Sequence, residues 1–512
     1  MSMIEKVNEL KTKKQEASLG GGQLRIDAQK AKGKNTAIDR IHELYDEGSF
    51  IETDAFTESR SMDFDMASKR KAGDGVICGY GRVNGRPVFV ASQDYTVLHG
   101  SIGEMQAKKI VRTIDMAIKT GAPIVYMLDS DGARVEEGTD VLSAIGELVT
   151  KQSMASGVIP QISVILGNCA GVSSLFPALS DFVIMADKTS FMYMNGPQVI
   201  ESVSGVKVAK EDIGSALVHS KSSGNAHIHC IDENQCINST KMLLSYLPDN
   251  NLSEPFRVDT ADQANRATEN LYEIISDSYD MKDVINSVTD ISTFMEIQPE
   301  FGTSIITGFA RMNGEAVGIV ANNPSVKEGK IDMYASDKAS RFVRLLDSFN
   351  IPIITFTHTT GYVADASQEN KGLIRHVAKL VYAFAEATVP KINVITGKAI
   401  GGAFIAMNSK STGADIVYAY PTASVSIMES DGAANIIFNK QIAQSDDPVA
   451  FRKAKIQEYS DRYTSAYEAA KRGYVDDVID PAFTRTYIIG ALEMLRSKRE
   501  SRPNKKHGNM PL

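Results

Sequence analysis

The chain has few cysteines, no excess of positive charge and no uninterrupted apolar run of membrane-spanning length. Its four cysteines are scattered irregularly through 512 residues, which favours free thiols in a reducing compartment over a disulfide framework. The net charge of −8 gives no electrostatic reason to expect nucleic acid as a partner. The most apolar stretch, residues 163–186, contains Asn168, Pro177 and Asp181, so it suits a buried core segment.

The first 22 residues are charged and have helical periodicity, without the apolar centre of a signal peptide. We therefore expect a cytoplasmic protein. A hydrophobic content of 43% with 23% charged residues is that of an ordinary soluble protein. The length exceeds what one core normally serves, so two domains or more are expected.

The two halves of the sequence are similar to each other. At a shift of 229 residues, GYGRVNG from Gly79 falls on GFARMNG from Gly308. At a shift of 230, residues 159–171 fall on residues 389–401 with six of 13 positions identical. Such long matches with almost no gaps indicate a duplicated domain rather than a short solenoid repeat.

Each half has the pattern of a parallel strand–helix–strand unit. Residues 86–92 predict a strand, residues 101–121 an amphipathic helix closed by Gly121, and residues 122–129 a buried strand. A connection of this length implies a right-handed parallel crossover. The second half repeats the pattern at residues 316–322, 336–350 and 351–358.

The fold class that follows is α/β, with two similar domains. Helices predicted at residues 139–156 and 371–388 lead into the strands that end at the duplicated glycines. Residues 247–265 are polar and carry two prolines, which marks a linker. We place the boundary at residue 265, which gives domains of residues 1–265 and 266–512.

Two stretches, ISVILGNCAG at 162–171 and INVITGKAIG at 392–401, run an apolar strand into a pair of glycines. A glycine at such a turn lets backbone N–H groups face a ligand, and two such amides form an oxyanion hole worth roughly 3–4 kcal/mol per donor. Gly171–Val172 and Gly402–Ala403 are the candidate donors. The alternative is that the glycines only allow close packing of helix on sheet, and the pattern alone does not decide.

Longer segments make the family recognisable. They include GYGRVNGRPVFVASQDYTVLHGSIGEMQAKKI, DSDGARVEEG, SGVIPQISVILGNCAG, YAFAEATVPKINVIT and RGYVDDVIDP. Over nearly its whole length the sequence resembles the carboxyltransferase subunits of biotin-dependent acyl-CoA carboxylases and decarboxylases. Within them it looks closest to propionyl-CoA carboxylase beta and methylmalonyl-CoA decarboxylase alpha subunits. The resemblance implies two crotonase-like domains, residues 1–265 on the acyl-CoA side and residues 266–512 on the biotin side.

The resemblance also implies the site and its chemistry. Gly171 and Val172 would face the acyl thioester oxygen, and Gly402 and Ala403 the ureido oxygen of biotin, because an oxyanion develops at each. Nothing in this chemistry requires a metal or a histidine. Residues implied in binding the acyl-CoA or biotin are Ala170, Gly132, Ala133, Gly401, Ile405, Gly361 and Tyr362.

The expected partners follow from what the sequence does not contain. It has neither a biotinyl-lysine motif nor the glycine-rich ATP segment of biotin carboxylases. Biotin is therefore expected on a separate biotin carboxyl carrier protein, with a biotin carboxylase subunit or a membrane decarboxylase subunit completing the complex. The resemblance implies a homo-oligomer between dimer and hexamer, with acyl-CoA as substrate and no nucleic acid.

Three departures from the family pattern lie in the implied site. The family commonly has glycine where this chain has Val172 and Asp131, and reads close to VDVPGF where this chain has THTTGY around His358. Three hypotheses stay open: a synthetic carboxylase component, the alpha subunit of a sodium-pumping decarboxylase, and a silent paralogue that scaffolds an active enzyme. Asp129 and Arg134 are expected to be structural, and Cys169 is not expected to act as a nucleophile.

Overall fold

The computed structural model describes residues 2–511, which form two compact units. The first ends at Ser253 and the second begins at Glu254, whereas the predicted boundary lies twelve residues further on, at 265. The intervening segment contacts the second unit: Arg311 donates to the carbonyl oxygen of Phe256 at 3.1 Å, and the Val258 N–H to that of Gly314 at 3.0 Å. Backbone pairing of this kind is invisible in a polar, proline-containing sequence.

The first unit is built on an eight-stranded sheet, whose strands are β1 Ile51–Thr53, β2 Val76–Val83, β3 Arg86–Gln93, β4 Ile124–Ser130, β5 Gln161–Ala170, β6 Phe182–Ala186, β7 Phe191–Tyr193 and β8 Ile228–Cys230. The strand order in the sheet is β1-β2-β3-β4-β5-β6-β8, and β7 also pairs with β5. The β1–β2 and β2–β3 pairs are antiparallel and the others are parallel. Its helices are α1 Met3–Ser18, α2 Gln23–Lys30, α3 Ala37–Leu44, α4 Met66–Lys69, α5 Glu104–Thr120, α6 Thr139–Ala155, α7 Leu175–Ala178, α8 Pro197–Ser204, α9 Lys210–Gly214, α10 Ala216–Lys221 and α11 Glu233–Tyr246.

The second unit has a matching sheet, whose strands are β9 Met295–Ile297, β10 Ile305–Met312, β11 Glu315–Asn322, β12 Ile353–Thr359, β13 Lys391–Ile400, β14 Ile416–Ala419, β15 Ser424–Ser426 and β16 Asp477–Val478. The strand order is β16-β14-β13-β12-β11-β10-β9, and β15 pairs with β13. Its helices are α12 Leu271–Ile274, α13 Met281–Val288, α14 Met333–Ser348, α15 Ala366–Asn370, α16 Leu373–Glu386, α17 Gly401–Ala406, α18 Ser430–Gln444, α19 Pro448–Tyr463, α20 Ala466–Lys471 and α21 Thr484–Leu495. The predicted class, α/β with a duplicated domain, is confirmed.

The predicted crossover units form because their apolar periodicity matches what each element buries. Helix α5 ends at Gly121, whose φ of 64° is the left-handed conformation that suits glycine. Ile110 and Ile114 of α5 are fully buried against strand residues such as Tyr126. Each such isoleucine contributes roughly 1.5–3 kcal/mol through burial.

Three structural observations concern membrane-spanning helices, metal sites and cysteines. Within residues 2–511, no helix combines the length and apolar character needed to cross a bilayer. The same residues include no cluster of three or more His, Cys, Asp or Glu side chains that could hold a metal ion. All four cysteines are buried free thiols.

Candidate active site

The second glycine of each pair forms a left-handed turn at the carboxyl end of a central parallel strand. Strand β5 ends at Ala170, and Gly171, with φ of 64°, begins a 3₁₀ turn that continues into α7. Strand β13 ends at Ile400, and Gly401, with φ of 65°, begins α17. The first N–H groups of a helix have no intrahelical acceptor and carry its positive dipole end. Both turns therefore present amide donors at the sheet edge.

The two predicted donor pairs are not in equivalent positions. The matching turns make Gly171 equivalent to Gly401, so Val172 corresponds to Gly402 and not to Ala403. Gly402 is exposed, whereas the Ala403 side chain is fully buried. Which two amides serve as donors in each unit stays a prediction.

The first glycine of each pair, Gly167 or Gly397, instead allows a side chain of the neighbouring strand to approach the backbone closely. A Cβ at Gly167 would stand 2.5 Å from Lys34 Nζ and would overlap the Asp129 carboxylate. A Cβ at Gly397 would stand 2.5 Å from His358 Nδ1. Asp129 and His358 each lie where the parallel register shifts between neighbouring strands. At Gly167 and Gly397 the close neighbour is therefore a side chain, not the helix that the alternative reading of these glycines invoked.

Asp129 belongs to a buried ion cluster. Its carboxylate accepts from Lys34 Nζ at 2.7 Å and from Arg40 Nη2 at 3.1 Å, and Arg40 also contacts Glu233 at 2.8 Å. Burial would lower the pKa of Arg40, but Asp129 and Glu233 outweigh it and raise that pKa. For Lys34, burial prevails over the attraction of Asp129 and lowers the pKa. This arrangement supports a structural role for Asp129.

His358 takes the equivalent place in the second unit without charged partners of that kind. Its Nδ1 lies 3.2 Å from the Tyr279 hydroxyl, which donates to Thr396 Oγ1 at 2.8 Å. Burial, and secondarily the charge of Lys398, lowers the pKa of His358 to about 4. The imidazole is therefore neutral near pH 7, and the Tyr279 hydroxyl connects it to Thr396.

The loop after each of these strands lies beside the following turn. Gly132, with φ of 115°, is packed so closely that a Cβ there would stand 3.0 Å from the carbonyl oxygen of Ala170. In the second unit, the Tyr362 hydroxyl donates to the carbonyl oxygen of Gly402 at 2.8 Å, and burial raises the pKa of Tyr362 to about 12. Predicted site residues from separate segments thus meet inside each unit.

The remaining predicted site residues flank these contacts. Ala133 follows Gly132 and forms a parallel bridge with Ile102, and Tyr362 forms the equivalent bridge with Ile331. Gly361 has a φ of 131° before Tyr362. Ile405 lies on α17 with 48% of its surface exposed, so it is free to contact a ligand.

Two further residues named from the sequence are not placed for acid–base or nucleophilic chemistry. Arg134 donates to Asp74 at 2.7 Å and to Glu137 at 2.8 Å, so it ties the loop after β4 to two acidic side chains. The Cys169 thiol donates to the Ser173 carbonyl oxygen at 3.4 Å, and burial raises the pKa of Cys169 to about 12. A thiolate nucleophile at this position is therefore disfavoured.

A basic cavity of about 360 Å³ lies in the first unit, near the carboxyl end of β5 and beside Phe191 at the start of β7. Five of its thirteen lining residues are lysine or arginine, and Asn168, three residues before Gly171, is also in its wall. Such a cavity suits an anionic ligand. Sequence reasoning missed this cavity because its basic residues are scattered and no local pattern joins them: Arg25, Lys32, Lys34, Lys188 and Lys210.

Next to this cavity, Asp131 contacts three side chains from two segments of the chain. Its carboxylate accepts from the Tyr95 hydroxyl at 3.1 Å and from Asn168 Nδ2 at 2.6 Å, and it lies 3.6 Å from His99 Nδ1. Burial, and then the Asp131 charge, raises the pKa of Tyr95, so this hydroxyl keeps its proton. His99 has a φ of 56°, an unusual backbone conformation that costs free energy and is common at functional sites.

Comparison with known proteins agrees with this architecture. A carboxyl transferase domain family matches residues 28–510. The propionyl-CoA carboxylase carboxyltransferase subunit of Haloferax mediterranei is 46% identical over the full length of both chains. The methylmalonyl-CoA decarboxylase alpha subunit of Veillonella parvula is 47% identical over 99% of both. A transcarboxylase 12S structure, described as a hexamer with methylmalonyl-CoA bound, superposes with a TM-score of 0.98 at 45% identity and covers 100% of this chain and 99% of its own.

The two matching sheets and their strand-end turns define a duplicated crotonase-like fold, the architecture of the transcarboxylase 12S structure. The relatives named above are carboxylase, decarboxylase and transcarboxylase subunits, which are enzymes that act on the carboxyl groups of acyl-CoA substrates. With a family match over residues 28–510 and relatives of 46–47% identity over essentially all of the chain, the protein belongs to the carboxyl transferase family.

Proposed function

We propose that this protein moves a carboxyl group between carrier-bound biotin and a short acyl-CoA. The propionyl/methylmalonyl pair is the first choice of acyl group, and the acetyl/malonyl pair is the second. The observation that carries the proposal is the matched pair of left-handed turns, at Gly171 and Gly401, one in each unit. Charge develops on two oxygens in this reaction, so two sets of preorganised amides are what it requires.

The first unit is proposed to bind the acyl-CoA. The basic cavity supplies lysine and arginine side chains for the phosphates, and its wall at Asn168 leads along β5 to Gly171. The N–H groups of Gly171 and Val172 would then donate hydrogen bonds to the developing enolate oxygen of the thioester. The Val172 side chain does not remove its N–H, so the departure from the family pattern leaves this donor in place.

The second unit is proposed to bind the biotin ring. Gly402 is exposed at the start of α17, and a Cβ there would stand only 3.2 Å from the Tyr362 ring, so the absence of a side chain leaves this edge open. Carboxybiotin, when bound, supplies the carboxyl group and a base for the α-proton of the acyl-CoA. The residues of this chain orient the ureido oxygen through amides at Gly402 and Ala403, while Tyr362 holds the Gly402 carbonyl.

The remaining assignments are part of the same proposal. A biotin carboxyl carrier protein would deliver the biotin, and a biotin carboxylase or a membrane decarboxylase subunit would set the direction. The transcarboxylase 12S relative is described as a hexamer, which supports a homo-oligomer here. A cytoplasmic location, with or without attachment to such a membrane subunit, is proposed on the same grounds.

The experiment that tests this uses the purified full chain with a biotinylated carrier domain. Malonyl-CoA and methylmalonyl-CoA are supplied in turn, and loss of the CoA-linked carboxyl group is followed with and without biotin. Gly402→Val should abolish the biotin-dependent loss. Gly490→Val is the matched control, because a Cβ at Gly490 in α21 meets no atom within 4 Å.

The competing hypothesis is a silent paralogue that scaffolds an active carboxyltransferase. Turnover that needs biotin, survives Gly490→Val and is lost in Gly402→Val would contradict it. A folded protein that binds CoA but consumes neither donor would instead contradict the transfer function. The relative rates with the two donors then identify the preferred acyl group.

A further inference from the structure

We propose, on the basis of the function proposed above, that Asp131 is a specificity-determining residue that disfavours binding of the carboxylated acyl-CoA relative to its uncarboxylated form. The carboxylated form carries an additional negative charge on its acyl group. The uncarboxylated form has no charge there. A fixed carboxylate near the acyl group therefore distinguishes the two forms by electrostatic repulsion alone.

The position of Asp131 follows from strand pairing. Ser130 at the end of β4 pairs with Cys169 of β5, so Asp131 comes next on the edge where β5 turns at Gly171. Gly132 packs against the Ala170 carbonyl. With neighbouring strands about 4.8 Å apart and consecutive Cα atoms 3.8 Å apart, the Asp131 carboxylate lies within roughly 10 Å of the first amides of this turn.

The charge at this position is held in place and left largely unneutralised. Tyr95 and Asn168 donate one hydrogen bond each to Asp131, which fixes the carboxylate without changing its charge. Among residues 2–511, the basic group recorded within ion-pair distance of Asp131 is His99, at 3.6 Å. Lys34, whose Nζ lies 4.6 Å from the centre of the Tyr95 ring, is paired with Asp129.

The cavity is therefore polarised. Lysine and arginine side chains line its body, and the carboxylate of Asp131 stands at the end nearer Gly171. An acyl-CoA with its phosphates among the basic residues would bring its acyl group towards the acidic end. Two like charges within roughly 10 Å of each other in a partly exposed site repel each other by an amount on the order of a tenfold change in affinity.

The test is a binding measurement in the absence of biotin, where the proposed reaction does not proceed. Isothermal titration calorimetry gives the Kd of methylmalonyl-CoA and of propionyl-CoA for the wild-type chain and for Asp131→Asn, which keeps the size of the side chain. The ratio of the two Kd values should fall about tenfold in the variant, mainly through tighter binding of methylmalonyl-CoA. High salt should shrink the wild-type ratio, because it screens exposed charges.

Two controls separate charge from structure. Asp131→Glu keeps a carboxylate at this position, so the ratio should stay well above that of Asp131→Asn. Asp140→Asn removes an exposed carboxylate of α6 and should leave both Kd values unchanged. An Asp131→Asn ratio equal to that of the wild type overturns the inference alone. Failure of the wild-type chain to bind either acyl-CoA overturns the proposed function, and the inference with it.

Discussion

Replacing Gly167 with alanine should destabilise the first unit although the substitution adds only a methyl group. The new Cβ would overlap the Asp129 carboxylate and stand 2.5 Å from Lys34 Nζ. Strand β5 cannot retreat, because it pairs with β4 on one side and β6 on the other. The carboxylate must move instead, away from Lys34 and Arg40, its two cationic partners.

The magnitude follows from the cluster. Separating a buried carboxylate from its partners costs about 3–5 kcal/mol, and removing a glycine from a strand returns about 0.5–1 kcal/mol. The net loss of stability is therefore expected to be about 2–4 kcal/mol. At 1.36 kcal/mol per factor of ten, that corresponds to roughly 30- to 1000-fold faster opening of the first unit.

Hydrogen exchange followed by mass spectrometry is the suitable assay, because it reports each unit separately in a chain whose unfolding need not be two-state. Peptides from β4 and β5 should exchange faster by the stated factor in Gly167→Ala, and peptides from the second sheet should be unchanged. Gly146→Ala in α6 is the matched control, since a Cβ there meets no atom within 4 Å and alanine favours a helix. Exchange in Gly167→Ala as slow as in the wild type would refute the close-approach argument.

Three further predictions concern the second unit. Gly397→Ala should press on the His358 ring, 2.5 Å away, and slow biotin-dependent turnover while the calorimetric Kd of propionyl-CoA stays unchanged. The pKa of His358 is lowered to about 4 from an ordinary value near 6.5, so protonation favours the unfolded chain. About 3 kcal/mol of stability should be lost as pH falls from 6.5 to 4, and urea unfolding of His358→Gln should lack this loss. Tyr362→Phe removes the bond to the Gly402 carbonyl and should reduce biotin-dependent turnover about two- to tenfold, whereas an unchanged rate would contradict a role for that bond.

The elements were predictable because helices and strands bury residues with different periodicities. The segments predicted as helices at 101–121 and 139–156 are α5 and α6, and those predicted as strands at 86–92 and 122–129 are β3 and β4. The duplication was also visible in the sequence, since shifts of 229 and 230 residues place identical residues on equivalent strands. These properties are local, or repeat at a nearly constant interval, and so can be detected in the sequence alone.

The four glycines show the limit of what a local sequence pattern can predict. Glycine after a buried strand indicated a passage from strand to helix, and the structure shows that Gly171 and Gly401 make this passage in the left-handed conformation. Gly167 and Gly397 have the same local pattern, yet each is required by a side chain from the neighbouring strand, Asp129 or His358. A neighbour some 40 residues away in the chain has no local signature.

The amino-acid sequence by itself determined the fold class, the duplication and the turns that end the central strands, because these depend on local periodicity and on the backbone freedom of glycine. Only the tertiary structure decided which distant charges meet. It gathers Arg25, Lys34 and Lys210 around one cavity, and it sets Asp131 against Tyr95 and Asn168. Electrostatic interactions depend on distance in space, and the sheet, not the order of residues, sets that distance.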